Sequence, residues 1–388
     1  MNSGKYVFSQ LMALISYKKF QSIVAHHKGD YKVREFTCWH QFLHLAFAQL
    51  TQRESLRDAM LCLKANHAKR YHLGLGEAVA LSTLTRANEN RPSAIFEEIA
   101  LDLLQQARTL YHNTPGDISG IKADIFALDA TTIDLCLSTF WWAHFRSTKA
   151  GIKLHTQLDL HHGLPHFVLI TNACVHEVHL MDMLHYEAGS FYIVDRGYID
   201  YKRIYRIHTS GAFFVTRAKD NMNYRRVYSY AKDKEAGVRF DQAILLNNYY
   251  AARHYPIKLR LVKYWDKEQE KTLLFLTNNM ELPALTIARL YKERWQIELF
   301  FKWIKQHLKV KSFFGQSENA VKIQLWNALA VYAVVAIAKK RFSITHSLYE
   351  MLQVISLSAM EKVPIAELFN YSHLHKTRNQ QHNQLKMF

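Results

Sequence analysis

The spacing of hydrophobic residues divides the chain into two parts with different periodicity. Up to about residue 115, apolar residues recur every three or four positions, which is the pattern of amphipathic helices. From about residue 121 onward, apolar and polar residues alternate, which is typical of half-buried strands. We therefore predict a helical N-terminal region followed by a domain that contains a β-sheet.

Capping residues indicate where the N-terminal helices begin. Thr37 precedes one apolar-periodic stretch, and Ser55 followed by Asp58 resembles a capping box with Asp in place of the usual Glu. Pro92 opens a further amphipathic helix, because its fixed φ suits the first helical turn. Short helices joined by tight turns suit a DNA-binding region of helix-turn-helix character, but a plain helical bundle fits the pattern at least as well.

The second part of the chain predicts strands in a characteristic order. Residues 125–135 form one strand, and residues 152–160 and 167–170 form a hairpin around a Gly-Leu-Pro turn. The elements that follow are a short helical stretch near 176–184, a strand at 191–194, a helix near 199–209 and a strand at 213–216. A three-strand meander followed by helix–strand–helix–strand predicts an α/β fold with a ribonuclease-H-like mixed sheet.

Further strand patterns lie between residues 218 and 282, for example at 258–262 and 273–276. This stretch predicts a mostly β insertion in the sheet domain. Pro283 then opens a long helix that we predict to run to about Val310. The tail after about Asn370 is rich in His, Asn, Gln and Lys, which is typical of a frayed terminus.

The charge of the chain points to a polyanionic partner. Lys and Arg total 50 against 33 Asp and Glu, a formal net charge of +17. Lys and Arg that neutralise phosphates release condensed counterions, so a surplus of this size favours binding to nucleic acid. An acidic membrane surface would fit the charge equally well and must be judged on other features.

The length of the apolar stretches and the pattern of the N-terminus argue against a membrane protein. The most apolar stretch, residues 325–338, is shorter than the ~20 residues that a spanning helix needs, so we predict a buried core helix there. The N-terminus shows no signal-peptide pattern. The 4 cysteines are widely spaced and form neither a disulfide framework nor a zinc motif. We therefore expect a protein of the reducing cytoplasm.

Three carboxylates lie at places where a metal site could form. Asp129 lies within the first strand, Asp195 lies where a buried strand ends, and Glu298 lies on the long helix. Mg²⁺ is a hard cation that takes oxygen ligands, so a magnesium site needs converging carboxylates. Two such ions can act on the attacking and leaving oxygens of a phosphodiester.

The long helix carries its carboxylate in a narrow polar stripe. At about 100° per residue, Tyr291, Arg294, Glu298, Lys302 and Lys305 share one face. Cations beside a metal-binding carboxylate would hold DNA phosphates next to the metal. The alternative is a solvated stripe in which Glu298 only pairs with Arg294, contributing ~0.3–0.5 kcal/mol. Taken alone, the helix favours this alternative.

The combined motifs resemble a known family. The pattern Tyr291-x2-Arg294-x3-Glu298-x6-Lys305 is similar to the YREK signature of the DDE transposases grouped with insertion sequence four, at the same spacing. Three ordered motifs together are specific, whereas each alone would be weak.

Both aspartates lie in stretches similar to the family's other motifs. Asp129 resembles the first catalytic aspartate, although Ala130 stands where the family usually has Ser. Asp195, in Tyr-Ile-Val-Asp-Arg-Gly-Tyr, is similar to the second without departure. The resemblance covers roughly residues 121–340.

The resemblance implies a ribonuclease-H-like catalytic domain that binds two Mg²⁺ ions, with Mn²⁺ as a substitute, and that moves an element by cut and paste. The expected partners are double-stranded DNA at the terminal inverted repeats and at the target, with a homodimer in the DNA complex and a hairpin intermediate. Asp129, Asp195 and Glu298 would be metal ligands. Tyr291, Arg294, Lys302 and Lys305 would contact DNA.

Two further sites rest on the residues alone. Trp295 could stack on an unpaired base, but an ordinary core aromatic is about as well supported. Arg86 and Asn88, together with Thr85, form the best candidate surface for reading base edges, because Arg and Asn can pair with guanine and adenine. The alternative is that Thr85, Arg86 and Asn88 only cap the next helix and hold the turn.

The histidines offer no comparable pattern. His26-His27 and His161-His162 have no further metal ligands at recognisable spacing. The triplet His373-Leu374-His375 falls in the polar tail without a strand pattern.

We therefore predict five segments and one activity. The segments are a helical DNA-binding region (1–115), the first part of the catalytic domain (116–217), the β-rich insertion (218–282), the second part of the catalytic domain (283–345), and a C-terminal helical region with a tail (346–388). The predicted activity is that of a DNA transposase. The alternatives are a related nuclease without strand transfer and a DNA-binding derivative without catalysis.

Overall fold

The computed structural model describes residues 4–112, 117–146, 149–231, 233–307 and 313–369. Contacts divide the chain into two compact units, the first formed by Met1–Asn113 with Trp303–Phe388 and the second by Thr114–Lys302. The polar tail and its His373-Leu374-His375 triplet lie outside the described residues.

The helices are, in chain order, α1 (Val7–Met12), α2 (Tyr17–His26), α3 (Cys38–Leu50), α4 (Leu56–Ala65), α5 (His67–Arg70), α6 (Leu81–Asn90), α7 (Ser93–His112), α8 (Leu180–Met183), α9 (Tyr201–Thr209), α10 (Tyr249–His254), α11 (Ala284–Glu293), α12 (Trp295–His307), α13 (Glu318–Arg341), α14 (Leu348–Ser358) and α15 (Ile365–Leu368). Short 3₁₀ turns occur at Trp141–Ala143, Glu177–His179 and Arg196–Tyr198.

The strands are β1 (Ile125–Leu135), β2 (His144–Arg146), β3 (Lys149–Asp159), β4 (Leu164–Asn172), β5 (Phe191–Val194), β6 (Phe213–Arg217), β7 (Tyr224–Ser229), β8 (Val238–Leu246), β9 (Leu259–Asp266) and β10 (Lys271–Thr277).

The predicted helix starts in the N-terminal region are confirmed. The Thr37 side chain accepts a hydrogen bond from the His40 N–H and begins α3. The Ser55 side chain accepts from the Asp58 N–H and begins α4. Each such cap satisfies a backbone donor that the helix leaves unpaired, which stabilises the helix by about 1 kcal/mol.

Helix α13 is the central helix of the first unit. It packs against α3, α6, α7 and α14, so helices from both ends of the chain share one core. With 24 residues, α13 is long and apolar enough to cross a membrane, so the prediction that no segment reaches that length was wrong. The prediction counted only the apolar residues 325–338 and left out the helical turns on either side of them, which belong to the same helix. The prediction of a core helix is confirmed, because 94% of its most apolar window is buried inside the protein.

The second unit is built on one ten-stranded sheet, in the order β2-β3-β1-β5-β6-β10-β9-β8-β7, with β4 paired to β3. Strands β1, β3 and β4 form an antiparallel meander, and β5 and β6 continue it in parallel with β1. The predicted α/β class with a ribonuclease-H-like mixed sheet is confirmed. Its core combines Tyr192, Phe214 and Leu276 from the central strands with helix α9.

The strands of residues 218–282 extend this sheet. β10 pairs with β6 in antiparallel orientation, with Thr277 opposite Val215, and β9, β8 and β7 follow outward. Arg260 on β9 donates to both carboxylate oxygens of Asp241 on β8 and to the Leu282 carbonyl, 2.6 Å away. This buried pair fixes the outer strands to the segment that leads into α11.

The predicted long helix is interrupted at one residue. α11 ends at Glu293 and α12 begins at Trp295, while Arg294 keeps helical dihedrals. The prediction of one continuous helix was therefore wrong at Arg294. Around it, the Arg294 N–H donates to the Tyr291 carbonyl and the Ile297 N–H to the Arg294 carbonyl, which tightens the turn. The predicted end near Val310 lies outside the described residues.

The compact units follow other boundaries than the five predicted segments. Helices α13, α14 and α15 belong to the first unit, and the boundary between the units falls within α12. The functional roles assigned to the five segments remain predictions.

Candidate active site

The two predicted catalytic aspartates lie on adjacent parallel strands. Leu128 of β1 pairs with Val194 of β5, so Asp129 and Asp195 each follow a paired residue at the same level of the sheet. The end of a buried parallel strand is a usual place for functional side chains in open sheets. β1 continues past Asp129, which lies opposite Thr156 of β3.

Arg294 joins the third carboxylate to Asp129, and Tyr291 contacts Asp195. The Arg294 guanidinium donates to Asp129 Oδ2 at 3.2 Å and also to a carboxylate oxygen of Glu298. The Tyr291 hydroxyl donates to Asp195 Oδ1 at 3.3 Å. Five of the residues predicted from the sequence are therefore linked by direct contacts within the second unit.

At Arg294 this arrangement departs from the solvated alternative for the polar stripe. Arg294 does pair with Glu298 four residues along the chain, as the solvated alternative proposed. It also pairs with Asp129 from a different part of the sheet, and its side chain is only 16% exposed. A solvated stripe would contain neither the second pair nor the burial.

Burial makes the Asp129 carboxylate a group that favours a nearby cation. Burial raises its pKa to about 6, against a smaller lowering by the hydrogen bond from the Ala130 N–H and by Arg294. The carboxylates of Glu177 and Asp195 raise the pKa of Asp129 further. Asp129 and Glu298 both turn a carboxylate oxygen to one cation, the Arg294 guanidinium. Carboxylate oxygens are the ligands that a hard divalent cation takes, so the chemistry of these residues fits a metal site.

A cavity of about 1060 Å³ borders the carboxylates. Asp195 and Glu298 line it together with Arg217, Arg289 and residues of the β9–β10 turn. Trp295 also lines this cavity, and its side chain is 58% exposed. The alternative of a core aromatic at Trp295 is thereby excluded.

Two further predicted residues follow on α12. Lys302 is exposed, and Lys305 lies one turn later in the part of the helix that belongs to the first unit.

The predicted base-reading surface is only partly available. Asn88 is 2% exposed, and its carboxamide oxygen accepts a hydrogen bond from Gln41. The Thr85 hydroxyl donates to the Leu81 carbonyl within α6. Asn88 therefore cannot present its amide to a base edge, because the packing of the first unit uses it. Arg86 remains exposed.

The histidine pair near the N-terminus does have a partner. His27 Nε2 lies 2.9 Å and His26 Nδ1 3.6 Å from Glu98 Oε2, and these residues are the one group in the described part of the chain with three donors close enough for a metal ion. Glu98 lies far from His26-His27 along the chain, so no recognisable spacing predicted it, and the packing of α2 on α7 brings it close.

Two side chains beside the carboxylates escaped the sequence interpretation. Glu177 follows the third strand of the meander, and Tyr198 ends the turn that begins after Asp195. Both lie in the short turns that follow strands of the predicted sheet, and this position was the signal that could have found them.

Comparison with known proteins agrees with this geometry. The profile described as "Transposase DDE domain" matches residues 120–334, and one described as "Domain of unknown function (DUF4372)" matches residues 3–76. "Putative transposase y4zB" of Sinorhizobium fredii is 35% identical over 74% of this chain and 79% of its own length.

Two further relatives carry insertion-sequence names. "Probable transposase for insertion sequence element IS5377" of Geobacillus stearothermophilus is 30% identical over 53% of this chain and 54% of its own length. "Putative transposase for insertion sequence element IS4SA" of Synechocystis is 26% identical over 67% of this chain and 72% of its own length.

The family match spans more than half of the chain and contains the linked carboxylates. It confirms the predicted family, fold class and enzymatic activity, and it implies dependence on divalent metal ions and binding to DNA. The chain belongs to the DDE transposases of the insertion sequence four type, enzymes that cut and transfer DNA strands.

Proposed function

We propose that this transposase moves an insertion sequence by cut and paste, with Asp129, Asp195 and Glu298 holding two Mg²⁺ ions that Mn²⁺ can replace. The observation that carries the proposal is the Arg294 guanidinium, which bridges Asp129 on the sheet and Glu298 on the helix. A cation already lies between the carboxylates that the reaction requires. When bound, the two ions supply an activated water and stabilise the leaving oxygen of the phosphodiester.

Arg294 changes partners when DNA binds. In the DNA-free protein it neutralises Asp129 and Glu298, and a guanidinium forms equally good paired hydrogen bonds with a phosphate. A backbone phosphate at the cleavage site therefore draws Arg294 away and leaves both carboxylates free for metal. Tyr291 holds Asp195 in orientation through its hydroxyl, which stays protonated because burial raises the pKa of Tyr291 to about 12.

The cavity beside the carboxylates receives the end of the element. Arg217 and Arg289 line it and supply positive charge for the backbone. Trp295 offers an exposed face on which an unpaired base can stack, as a hairpin intermediate would require. Lys302 and Lys305 extend the phosphate contacts along α12.

The DNA partners are the terminal inverted repeats and the target duplex, and the complex contains two copies of the chain. The enzyme works in the bacterial cytoplasm on nucleoid DNA. Sequence recognition lies in residues 1–115, where Arg86 is the exposed candidate for a base contact. Arg86 shares the lining of a cavity of about 510 Å³ with the exposed Lys28, so a phosphate contact is available beside it.

The test is a product assay with labelled element ends and Mg²⁺. Nicked, hairpinned and joined products are expected from the full chain. Cleavage without joined products would identify a nuclease without strand transfer. End binding without any cleavage would identify a derivative without catalysis.

A further inference from the structure

The site contains a buried hydroxyl that its known residues do not explain. Tyr198 is 1% exposed, and its hydroxyl has no hydrogen-bond partner within the described part of the chain. An unpaired buried polar group costs about 1–3 kcal/mol, so native proteins rarely retain one without a reason. Tyr198 lies three residues after Asp195, at the end of the 3₁₀ turn Arg196–Tyr198.

Acidic residues act on the Tyr198 hydroxyl in addition to its burial. Burial raises the pKa of Tyr198 far above its usual value, and the carboxylates of Asp129, Glu177 and Asp195 raise it further. The hydroxyl therefore stays protonated and can only gain from donating to a carboxylate or to water held by a cation. One of these three carboxylates, Glu177, is outside the triad.

Contacts on both sides fix Glu177 near the aspartates. Its turn, Glu177–His179, packs against the turn Arg196–Tyr198 that follows Asp195. On the other side, Glu177 Oε1 lies 3.5 Å from Lys153 Nζ, and this ammonium also donates to the Val175 carbonyl at 2.9 Å.

The anchor for Glu177 is part of the sheet. Lys153 is a nearly buried residue of β3 and lies opposite Thr132 of β1, three residues beyond Asp129. The Glu177 side chain itself is 39% exposed, so it is held in place by Lys153 but remains open to a ligand.

We propose that Glu177 is a fourth carboxylate of the divalent-metal site, and that Tyr198 is a positioning residue whose hydroxyl donates to water that a bound cation holds at this acidic cluster. The inference rests on the metal-binding roles proposed for Asp129 and Asp195. A divalent cation requires several oxygen ligands, and Mg²⁺ retains waters that neighbouring donors and acceptors hold in place. Two divalent cations carry more positive charge than the three carboxylates of the triad can neutralise. Glu177 would supply a further negative charge.

The test is a titration of the full chain with Mn²⁺ in the absence of DNA, in which calorimetry gives affinity and stoichiometry. Glu177→Gln is expected to weaken Mn²⁺ binding by about tenfold or more, the effect typical of losing a group that supports a metal. Glu281→Gln is the matched control, because Glu281 is an exposed glutamate of the same unit. It should bind Mn²⁺ like the parent protein.

Tyr198→Phe separates a positioning role from a structural one. The hydroxyl has no hydrogen-bond partner among the described residues, so its removal should leave the melting temperature unchanged or higher. Mn²⁺ affinity should nevertheless fall severalfold. An unchanged Mn²⁺ affinity in Tyr198→Phe would remove Tyr198 from the site.

Three outcomes distinguish the inference from the proposed function. If Asp129→Asn loses Mn²⁺ binding but Glu177→Gln stays within twofold of the parent, Glu177 is only the counter-ion of Lys153 and the inference fails. If Asp129→Asn also binds normally, the proposed metal site itself is wrong. Should Glu177→Gln fail to fold, Glu177→Asp keeps the charge and shortens the side chain. Full Mn²⁺ affinity in that folded variant would overturn the inference.

Discussion

Two arginine–aspartate pairs in the second unit place the same chemistry in different surroundings. Arg260 donates to both oxygens of Asp241 at 2.8 and 2.7 Å, and the two side chains are 5% and 3% exposed. Arg294 makes one bond of 3.2 Å to Asp129, shares its guanidinium with Glu298, and borders a large cavity. The first pair is closed to other partners, whereas the second is open to them.

The difference separates a closed structural ion pair from the pair to which we assign a function in our proposal. Breaking a closed buried pair leaves a charge without a partner, so such a pair resists any exchange. The open pair has an incomplete hydrogen-bond geometry and an aspartate whose pKa burial has raised. A phosphate or a metal ion can therefore compete for its members at little cost.

The largest expected effect concerns the carboxylates of the open site. Asp129→Ala, Asp195→Ala and Glu298→Ala should each reduce cleavage by more than the roughly 10–100-fold typical of residues that only support a metal ligand. Binding to element ends should persist, because the cations remain. Gel shift and Mg²⁺-dependent nicking measure the two properties.

A matched control lies on the same strand. Asp134 is an exposed residue of β1, and Asp134→Ala should cleave like the parent protein. Normal nicking by any one of the three carboxylate variants would remove that residue from the triad.

The closed pair predicts a loss of stability. Arg260→Ala leaves Asp241 buried without its partner, which should lower the free energy of unfolding by ~3–5 kcal/mol. Arg226→Ala, an exposed position on β7, should change it by no more than ~0.5 kcal/mol. Urea denaturation measures both. A loss below 1 kcal/mol for Arg260→Ala would show that the closed pair contributes no more than a surface pair.

The raised pKa of Asp129 predicts that replacing its carboxylate with a neutral amide stabilises the folded protein, and that this stabilisation depends on pH. Its folded pKa of about 6 exceeds the usual 3.8, so the folded state binds the proton more tightly and loses stability as pH rises through this interval. Without metal, Asp129→Asn should be more stable than the parent by roughly 1–3 kcal/mol at pH 7.5, since each pKa unit corresponds to ~1.4 kcal/mol.

The advantage of Asp129→Asn should disappear below about pH 3, under the usual pKa of 3.8, where the folded and the unfolded parent both carry the proton. Urea unfolding at the two pH values, with a chelator present, measures it. A difference that does not change with pH would have to come from packing and not from the carboxylate charge.

The smallest expected effect is on the salt dependence of DNA binding. It tests whether Arg294, the arginine of the open pair, can leave its carboxylates for a DNA phosphate. Arg294→Ala and Lys305→Ala should each reduce the slope of log affinity against log salt by about one unit, because each removes one phosphate contact. Arg294→Ala should also impair cleavage. Arg294→Lys keeps the charge but not the paired donors, so it should retain the slope and still cleave poorly. An unchanged slope in both alanine variants would place these cations away from the DNA.

The sequence by itself determined the order of the elements and the three motifs. Alternation in 152–160, the buried run at 191–194 and the caps at Thr37 and Ser55 are local patterns, and each predicted the element that the structure contains. Asp129 could be placed within the first strand and Asp195 at the end of a buried strand, whereas the pairing of these two strands is known from the structure. Local periodicity and turn chemistry suffice for such predictions, since they depend only on neighbouring residues.

Only the tertiary structure decided which polar side chains are available and which carboxylates share a partner. Asn88 looked like a base-reading residue until packing buried it against Gln41. Arg294 lies 165 positions from Asp129 along the chain, and no spacing rule relates the two. Burial and long-range pairing depend on the elements that pack together, and the free energy of a charged group depends on that surrounding protein far more than on its sequence neighbours.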